Sequence, residues 1–241
     1  MYLIVTPLAA ALFALAGCSV SSGEDDDAGI RPSGAGTQRS FAAADFSTIE
    51  LAGADDVDVR VGPAFSVRAE GAAEVLDRLR IETDGDTLEI GRKRGASGEG
   101  KARILVTLPR LAGASLAGSG TMTVDRVQGG DLKAELAGSG QLRFRQLGVE
   151  TLDVDIAGSG SLTATGTARD LDLDIAGSGD FDARGLTATG AEVSIAGSGN
   201  VRATVNGRAE VNIMGSGDVD RGSGAKCQVS KMGSGDVRCG G

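Results

Sequence analysis

The chain has 241 residues, of which 41% are hydrophobic, 3% are aromatic and 39 are glycine. Its 33 acidic and 24 basic residues give a formal net charge of −9, which argues against nucleic acid and anionic lipid headgroups as partners because neither would neutralise that charge. Histidine is absent from the sequence, so the commonest general base and metal ligand of proteins is missing.

The first 17 residues have the features of an export signal. Residues 3–16 form an apolar run that is too short to span a bilayer but suits the core of a signal peptide. The run ends in Leu15-Ala16-Gly17-Cys18, which resembles the lipobox of bacterial lipoproteins. That resemblance implies that Cys18 is acylated and becomes the mature N-terminus, and Ser19 after it favours the outer membrane. The basic residue that usually precedes the run is missing, and the alternative is an ordinary signal peptide or a loose hydrophobic terminus.

Residues 18–40 are predicted to be a disordered tether between the lipid and a folded domain. They carry four successive acidic residues, Glu24 to Asp27, and show no apolar periodicity. Such a segment cannot bury enough apolar surface to offset the entropy of ordering it. The sequence therefore predicts one domain over residues 41–241.

The first half of this domain is rich in predicted strands but irregular. Alternating or β-branched segments indicate strands near 47–51, 57–61, 66–69, 78–82, 87–91 and 103–108. Asp84-Gly85 lies between two such runs and predicts a hairpin, and residues 72–79 are predicted to form a short helical turn. Residues 51–54 resemble a degraded version of the glycine-rich corners described next, so this half is predicted to be irregular coils of the same solenoid.

From about residue 112 the chain repeats one pattern seven times: an alternating apolar run, Gly-Ser-Gly, and a second alternating run. Successive triplets are 18 to 20 residues apart. Alternation with period two predicts strands with one buried face, and a repeat this short cannot bury its apolar residues alone. If the repeats stack as coils joined by parallel hydrogen bonds, each coil covers the apolar residues of its neighbours. The sequence therefore predicts an all-β fold, a parallel β-helix-like solenoid of two-strand coils.

The triplets are predicted to be the corners of the coils. If the alternation of inward and outward residues continues through a triplet, both of its glycines point inward and its serine points outward. Glycine suits such a corner because no Cβ fits inside a sharp bend and a positive φ is permitted. The predicted corner glycines are Gly118, Gly120, Gly138, Gly140, Gly158, Gly160, Gly177, Gly179, Gly197, Gly199, Gly215, Gly217, Gly233 and Gly235.

The order of these motifs is similar to that of a known family. Residues 46–62, 79–91 and 102–120, followed by repeated Ile-Ala-Gly-Ser-Gly corners, resemble the putative auto-transporter adhesin head GIN domain family of bacterial, often exported, proteins. The resemblance covers about residues 41–240, and its most distinctive part is the Val-Thr-Leu-Pro strand that ends at Pro109. It implies a β-helix-like domain and an adhesin-related role, and it carries over no enzymatic activity.

The two cysteines near the C-terminus are predicted to form a disulfide. With Cys18 assigned to the lipid, Cys227 and Cys239 remain as an even pair in an oxidising compartment. Both occupy inward positions of the last repeat and would face each other across the core. The alternative is a pair of buried free thiols.

Acidic residues recur at equivalent outward positions of successive coils. One predicted column holds Asp153, Asp172, Glu192 and Glu210, and its neighbour holds Glu135, Asp155 and Asp174. At strand spacing these like charges repel, and Ca²⁺, which takes six to eight oxygen ligands, could relieve the repulsion. The alternative is a solvated acidic face that keeps a repeat protein soluble.

Three functions are compatible with these features. The first is a non-catalytic, lipid-anchored module of the bacterial envelope that binds an envelope protein, a glycan or a matrix ligand, or serves structurally. The second is a Ca²⁺-ordered repeat protein. The third is a polysaccharide-active β-helix enzyme, which normally needs paired carboxylates in a cleft built from long loops, whereas the turns of this repeat are short. The sequence predicts a non-enzyme without a cofactor.

Overall fold

The computed structural model describes residues 29–95, 98–222 and 224–239. The export segment, Cys18 and the first part of the tether lie outside these ranges. The described chain is 67% strand and 2% helix. Its helix α1 (Ala73–Leu76) is a single turn, and no helix within these ranges is long and apolar enough to cross a membrane.

The described residues also form nineteen strands. Those of the irregular half and the first coils are β1 (Gln38–Phe41), β2 (Thr48–Gly53), β3 (Asp56–Val61), β4 (Ser66–Glu70), β5 (Leu79–Asp84), β6 (Thr87–Arg92), β7 (Arg103–Leu108), β8 (Gly113–Gly118), β9 (Thr121–Val124) and β10 (Val127–Gln128). Those of the later coils are β11 (Asp131–Gly138), β12 (Gln141–Gly158), β13 (Ser161–Gly177), β14 (Asp180–Gly197), β15 (Asn200–Val205), β16 (Arg208–Gly215), β17 (Val219–Asp220), β18 (Lys226–Gly233) and β19 (Val237–Arg238).

The repeats form a parallel β-solenoid of about six stacked turns, as the sequence predicts. Strands β11, β12, β13, β14, β16 and β18 are joined by parallel ladders in one register. Equivalent residues therefore stack in columns, such as Leu136, Ile156, Ile175, Ile195 and Ile213. The period of the triplets fixes this register because each glycine of a corner stacks on the glycine of the coil before it.

Each central coil has a third side that the two-strand prediction missed. The ladder between β12 and β13 runs through three stretches, 141–144, 147–149 and 151–158, with a register shift between Phe144 and Leu147. Leu147 and Val149 on the short middle stretch are buried. The prediction was incomplete here because two successive exposed residues, 145 and 146, interrupt the alternation from which strands are recognised.

The inward residues of all coils merge into one continuous core. Leu152, Val154 and Ile156 of one coil are 0 to 2% exposed, and Leu142 and Phe144 of the same coil are buried as completely. Each fully buried aliphatic side chain contributes about 1.5–3 kcal/mol, and it does so only because the coils on either side cover it. The solenoid is thus stabilised by stacking rather than by any single repeat.

In the first half of the domain, chain order and stacking order differ. Strand β2 lies between β6 and β8 and is parallel to both, and β3 lies likewise between β7 and β9. Strand β5 pairs antiparallel with β6 across the predicted Asp84-Gly85 turn, and β4 pairs antiparallel with β7. Gly53 stacks on Gly118 at a φ of +141°, so residues 51–54 do form a corner.

The predicted tether is wrong for residues 30–40. Ile30 donates a backbone hydrogen bond to the Ile81 carbonyl at 2.7 Å, and β1 pairs antiparallel with β4. The physical reason is twofold: β1 covers an otherwise open edge of β4, and Phe41 is buried in the core while Ile30 packs against it. The folded domain therefore starts about ten residues earlier than predicted.

The last coil is closed by the predicted disulfide. Cys227 and Cys239 are bonded, with their Cα atoms 6.2 Å apart. The pair joins β18 to the residue that follows β19, across the end of the solenoid. Both cysteines are half-buried rather than fully enclosed, because the described chain places no further coil on this side.

Candidate binding face

The corners give the outer surface its regularity. The first glycine of every triplet has a positive φ, from +115° at Gly138 to +139° at Gly197, a region that residues with a side chain rarely occupy. The third residue of the triplet is a buried glycine, as at Gly179, whereas Ser178 between the two glycines is exposed. Identical turns at every level keep the strands on either side of them aligned.

The two acidic columns lie side by side on one outer wall. The ladders place Asp153 beside Asp172, then Glu192 and Glu210, and they place Glu135 beside Asp155 and then Asp174. We call these seven residues the acidic face. Neighbouring strands in a sheet are about 4.8 Å apart, so the carboxylates of successive coils lie close to each other.

Lysine lies at one end of the acidic face. In the ladder Lys133 takes the position before Asp153, and its ammonium lies 2.6 Å from a Glu135 carboxylate oxygen and 3.6 Å from one of Asp155. The hydrogen bond that the Lys133 ammonium donates to Glu135 raises the pKa of Lys133. These side chains are about half exposed, and exposed pairs of this kind stabilise a protein by only about 0–1 kcal/mol.

Further along the columns, no basic side chain of the described residues forms an ion pair with the acidic ones. Partial burial, and then the charges of Asp155 and Asp174, raise the pKa of Asp153 and Asp172 above the ordinary aspartate value. In the described part of the chain, no group of three or more acidic or cysteine side chains has the arrangement of a metal site. The geometry therefore supports the solvated acidic face, and Ca²⁺ binding by Glu135, Asp153, Asp155, Asp172, Asp174, Glu192 and Glu210 stays a prediction.

Replacing one column aspartate is expected to stabilise the protein. A pKa that is raised in the folded state means that ionisation weakens folding at neutral pH, and this cost fades as the pH falls through the raised pKa. We expect Asp172→Asn to gain about 0.2–1 kcal/mol at pH 7 and low salt, with the gain lost once the pH has fallen through the raised pKa to about pH 3. Thermal melts at the two pH values measure it, with the exposed Asp125→Asn as control. Equal effects of both substitutions would show that the column has no special repulsion.

A shallow groove runs beside the acidic face. It encloses about 400 Å³ and crosses four coils between two columns of outward residues. One side consists of Asp155, Asp174, Ser194 and Asn212, and the other of Ala157, Ala176, Ala196 and Met214. The alanines are exposed, so the groove combines a largely apolar wall with a polar, partly acidic one.

A buried ion pair that sequence reasoning missed joins two distant segments of the irregular half. Arg92 donates to both carboxylate oxygens of Asp55, at 2.6 and 3.0 Å, and the Ala102 N–H donates to the same carboxylate at 2.7 Å. Asp55 is fully buried. A signal was available, because Asp55 occupies the corner position that is glycine in every later repeat.

Comparison with solved structures finds bacterial proteins of the same fold. A putative adhesin from Bacteroides fragilis superimposes with a TM-score of 0.78 at 22% identity, covering 88% of this chain and 100% of that one. A putative adhesin from Parabacteroides merdae gives a TM-score of 0.65 at 18% identity, covering 84% and 95%. A putative lipid binding protein from Parabacteroides distasonis gives 0.60 at 22% identity, covering 84% and 95%.

These likenesses show a shared fold, and no curated protein matches the chain. The match to a family model is evidence of family membership as well as of fold. It covers residues 45–225, which include most of the irregular half and most of the repeats. The chain therefore belongs to the family described as the putative auto-transporter adhesin, head GIN domain.

Proposed function

We propose that this protein is a non-catalytic, adhesin-like module of the bacterial cell envelope, anchored in the outer membrane by a lipid on Cys18. The observation that carries the proposal is the family match over residues 45–225. Two of the solved structures with this fold are of putative adhesins, which agrees with it. The sequence features of residues 1–18 support the lipid anchor, and the residues between the anchor and Ile30 would separate the domain from the membrane.

We infer that the module contacts its partner through the acidic face and the adjoining groove. The groove crosses four coils, which at about 4.8 Å per coil makes a contact roughly 15 Å long. Its exposed alanines allow a partner to approach closely, and the carboxylates of Asp155 and Asp174 beside them attract positive charge. An envelope or matrix protein with a basic surface fits these properties best, and a glycan is the second candidate.

Adhesion of cells that display the full chain tests this proposal. We expect such cells to attach to surfaces coated with matrix proteins or envelope glycans, and attachment to protein to weaken as salt rises. Ala176→Gln fills the groove without changing charge and is expected to reduce attachment about tenfold, a loss of about 1.4 kcal/mol. The matched control is Thr187→Gln, an exposed substitution on the third side of β14, which should leave attachment unchanged.

A further variant, Cys18→Ala, separates anchoring to the membrane from binding to the coated surface. Cys18→Ala should abolish labelling by radioactive palmitate and release the protein from the membrane fraction, while the released protein still binds the coated surface. Persistent palmitate labelling of Cys18→Ala would overturn the lipid anchor alone. Equal attachment by Ala176→Gln and Thr187→Gln cells would overturn the assignment of the groove, and no attachment to either coating would overturn the adhesin-like role.

A further inference from the structure

One arginine is enclosed in the core of the solenoid near its C-terminal end. Arg221 directly follows β17, and its residue is 0% exposed. The inward Val219 is two residues earlier, so the alternation of the strand points Arg221 inward as well. The nitrogens Nε, Nη1 and Nη2 are all buried and have no hydrogen-bond partner in the described structure.

The neighbouring coils explain how a side chain of this length fits. The Arg221 N–H donates to the Arg238 carbonyl at 3.1 Å, and the Arg221 carbonyl accepts from the Val205 N–H at 3.2 Å. Extending the ladder of β15, β17 and β19 by one residue places Ala203 beside Arg221 in the preceding coil and Cys239 beside it in the following one. The small alanine leaves room in the core, and Cys239 is tied to Cys227 by the disulfide.

A guanidinium in such a place needs a counter-charge. Burying a charge without a partner is strongly unfavourable, because the ion loses its hydration and gains no attraction in return. Burial lowers the pKa of Arg221 to about 10, which still leaves it protonated at neutral pH. No carboxylate of the described residues lies within hydrogen-bond distance of its nitrogens. Among the described residues the guanidinium therefore has no acceptor, and an oxygen acceptor that does not belong to them would satisfy it.

We propose that Arg221 is the cationic half of an internal anion site beneath the last coil, and that its ligand is a small carboxylate or a comparable oxyanion. The planar guanidinium presents its N–H groups as a fork that matches two oxygens of such an ion. Because the Arg221 side chain is enclosed, we expect only a small anion to reach it. The acidic face is on the outer wall and does not take part, so this site is separate from the proposed adhesive surface.

Equilibrium dialysis of the oxidised full chain tests the site directly. With radioactive acetate as the probe, we expect about one ion retained per chain, and with Arg221→Met we expect none. Arg202→Met is the matched control, since Arg202 is exposed on the preceding coil, and it should retain the ion. A parallel dialysis with radioactive inorganic phosphate distinguishes a site for carboxylates from one for oxyanions in general.

Thermal melts provide a second readout. Saturating acetate should raise the melting temperature of the wild-type chain and of Arg202→Met by several degrees, because a ligand that binds only the folded state stabilises it. The melting temperature of Arg221→Met should change by less than one degree. Retention of neither ion by the wild-type chain would overturn the proposal even if Arg221→Met failed to fold, and equal retention by the wild type and Arg221→Met would also overturn it.

Discussion

Gly197→Ala is expected to lower the melting temperature of the protein by roughly 6–12 °C, which corresponds to about 3 kcal/mol or more. A Cβ at this position would lie 2.0 Å from the carbonyl oxygen of Gly177 in the preceding coil. It would also require a side chain at a φ of +139°. The backbone that it meets is held in the ladder by the coils on both sides, so it cannot move aside without breaking hydrogen bonds at the corner.

The control for this experiment lies in the same corner. Ser198 follows Gly197 directly and is exposed, so Ser198→Ala should change the melting temperature by no more than about one degree, in line with surface substitutions in general. Circular dichroism melts of the two variants and the wild type measure the difference. If Gly197→Ala melted at the same temperature as Ser198→Ala, the close stacking of the corners would not be what restricts these positions to glycine.

Arg92→Met is expected to destabilise the domain by about 3–5 kcal/mol, since it leaves the fully buried carboxylate of Asp55 without its cation. The Ala102 N–H would remain as a hydrogen-bond donor to that carboxylate, and it cannot compensate a full charge. The damage should centre on the loop between β6 and β7, where Arg92 also donates to the Gly100 carbonyl at 3.0 Å. Denaturant or thermal unfolding measures the loss.

A neighbouring ion pair supplies the comparison. The Lys101 ammonium lies 3.4 Å from Asp56, and both side chains are about half exposed, so Lys101→Met should cost only about 0–1 kcal/mol. The double variant Arg92→Met with Asp55→Asn should recover part of the loss, because a neutral amide replaces the unpaired charge. Similar costs for Arg92→Met and Lys101→Met would show that the buried pair contributes no more than a surface contact.

The architecture of the repeats could be predicted because the information is local. Leu152, Val154 and Ile156 alternate with Asp153 and Asp155, and alternation of this kind has one stable solution when a triplet of fixed conformation recurs every 18 to 20 residues. The same period determines the ladder register. It therefore also determines that the acidic residues of successive coils stack in columns.

The candidate face could be foreseen only in part. The columns follow from the period of the repeat. The groove beside them depends instead on how the exposed alanines and the partly acidic column are placed relative to each other in the folded coils. The disulfide could be predicted from the alternation of inward and outward residues, because Cys227 and Cys239 both fall on inward positions. Its incomplete burial follows instead from the lack of a further coil within the described chain.

What the sequence determined by itself was therefore the repeating part of the molecule: the β-solenoid, its corners and its stacked outer columns. Only the tertiary structure decided that β2 lies between β6 and β8, that Arg92 neutralises Asp55, 37 residues away, and that Arg221 is enclosed in the core. The physical reason is the range of the interactions. Alternation and glycine conformation act between neighbours in the chain, whereas a buried charge is matched, or left unmatched, by whatever distant segments the fold brings around it.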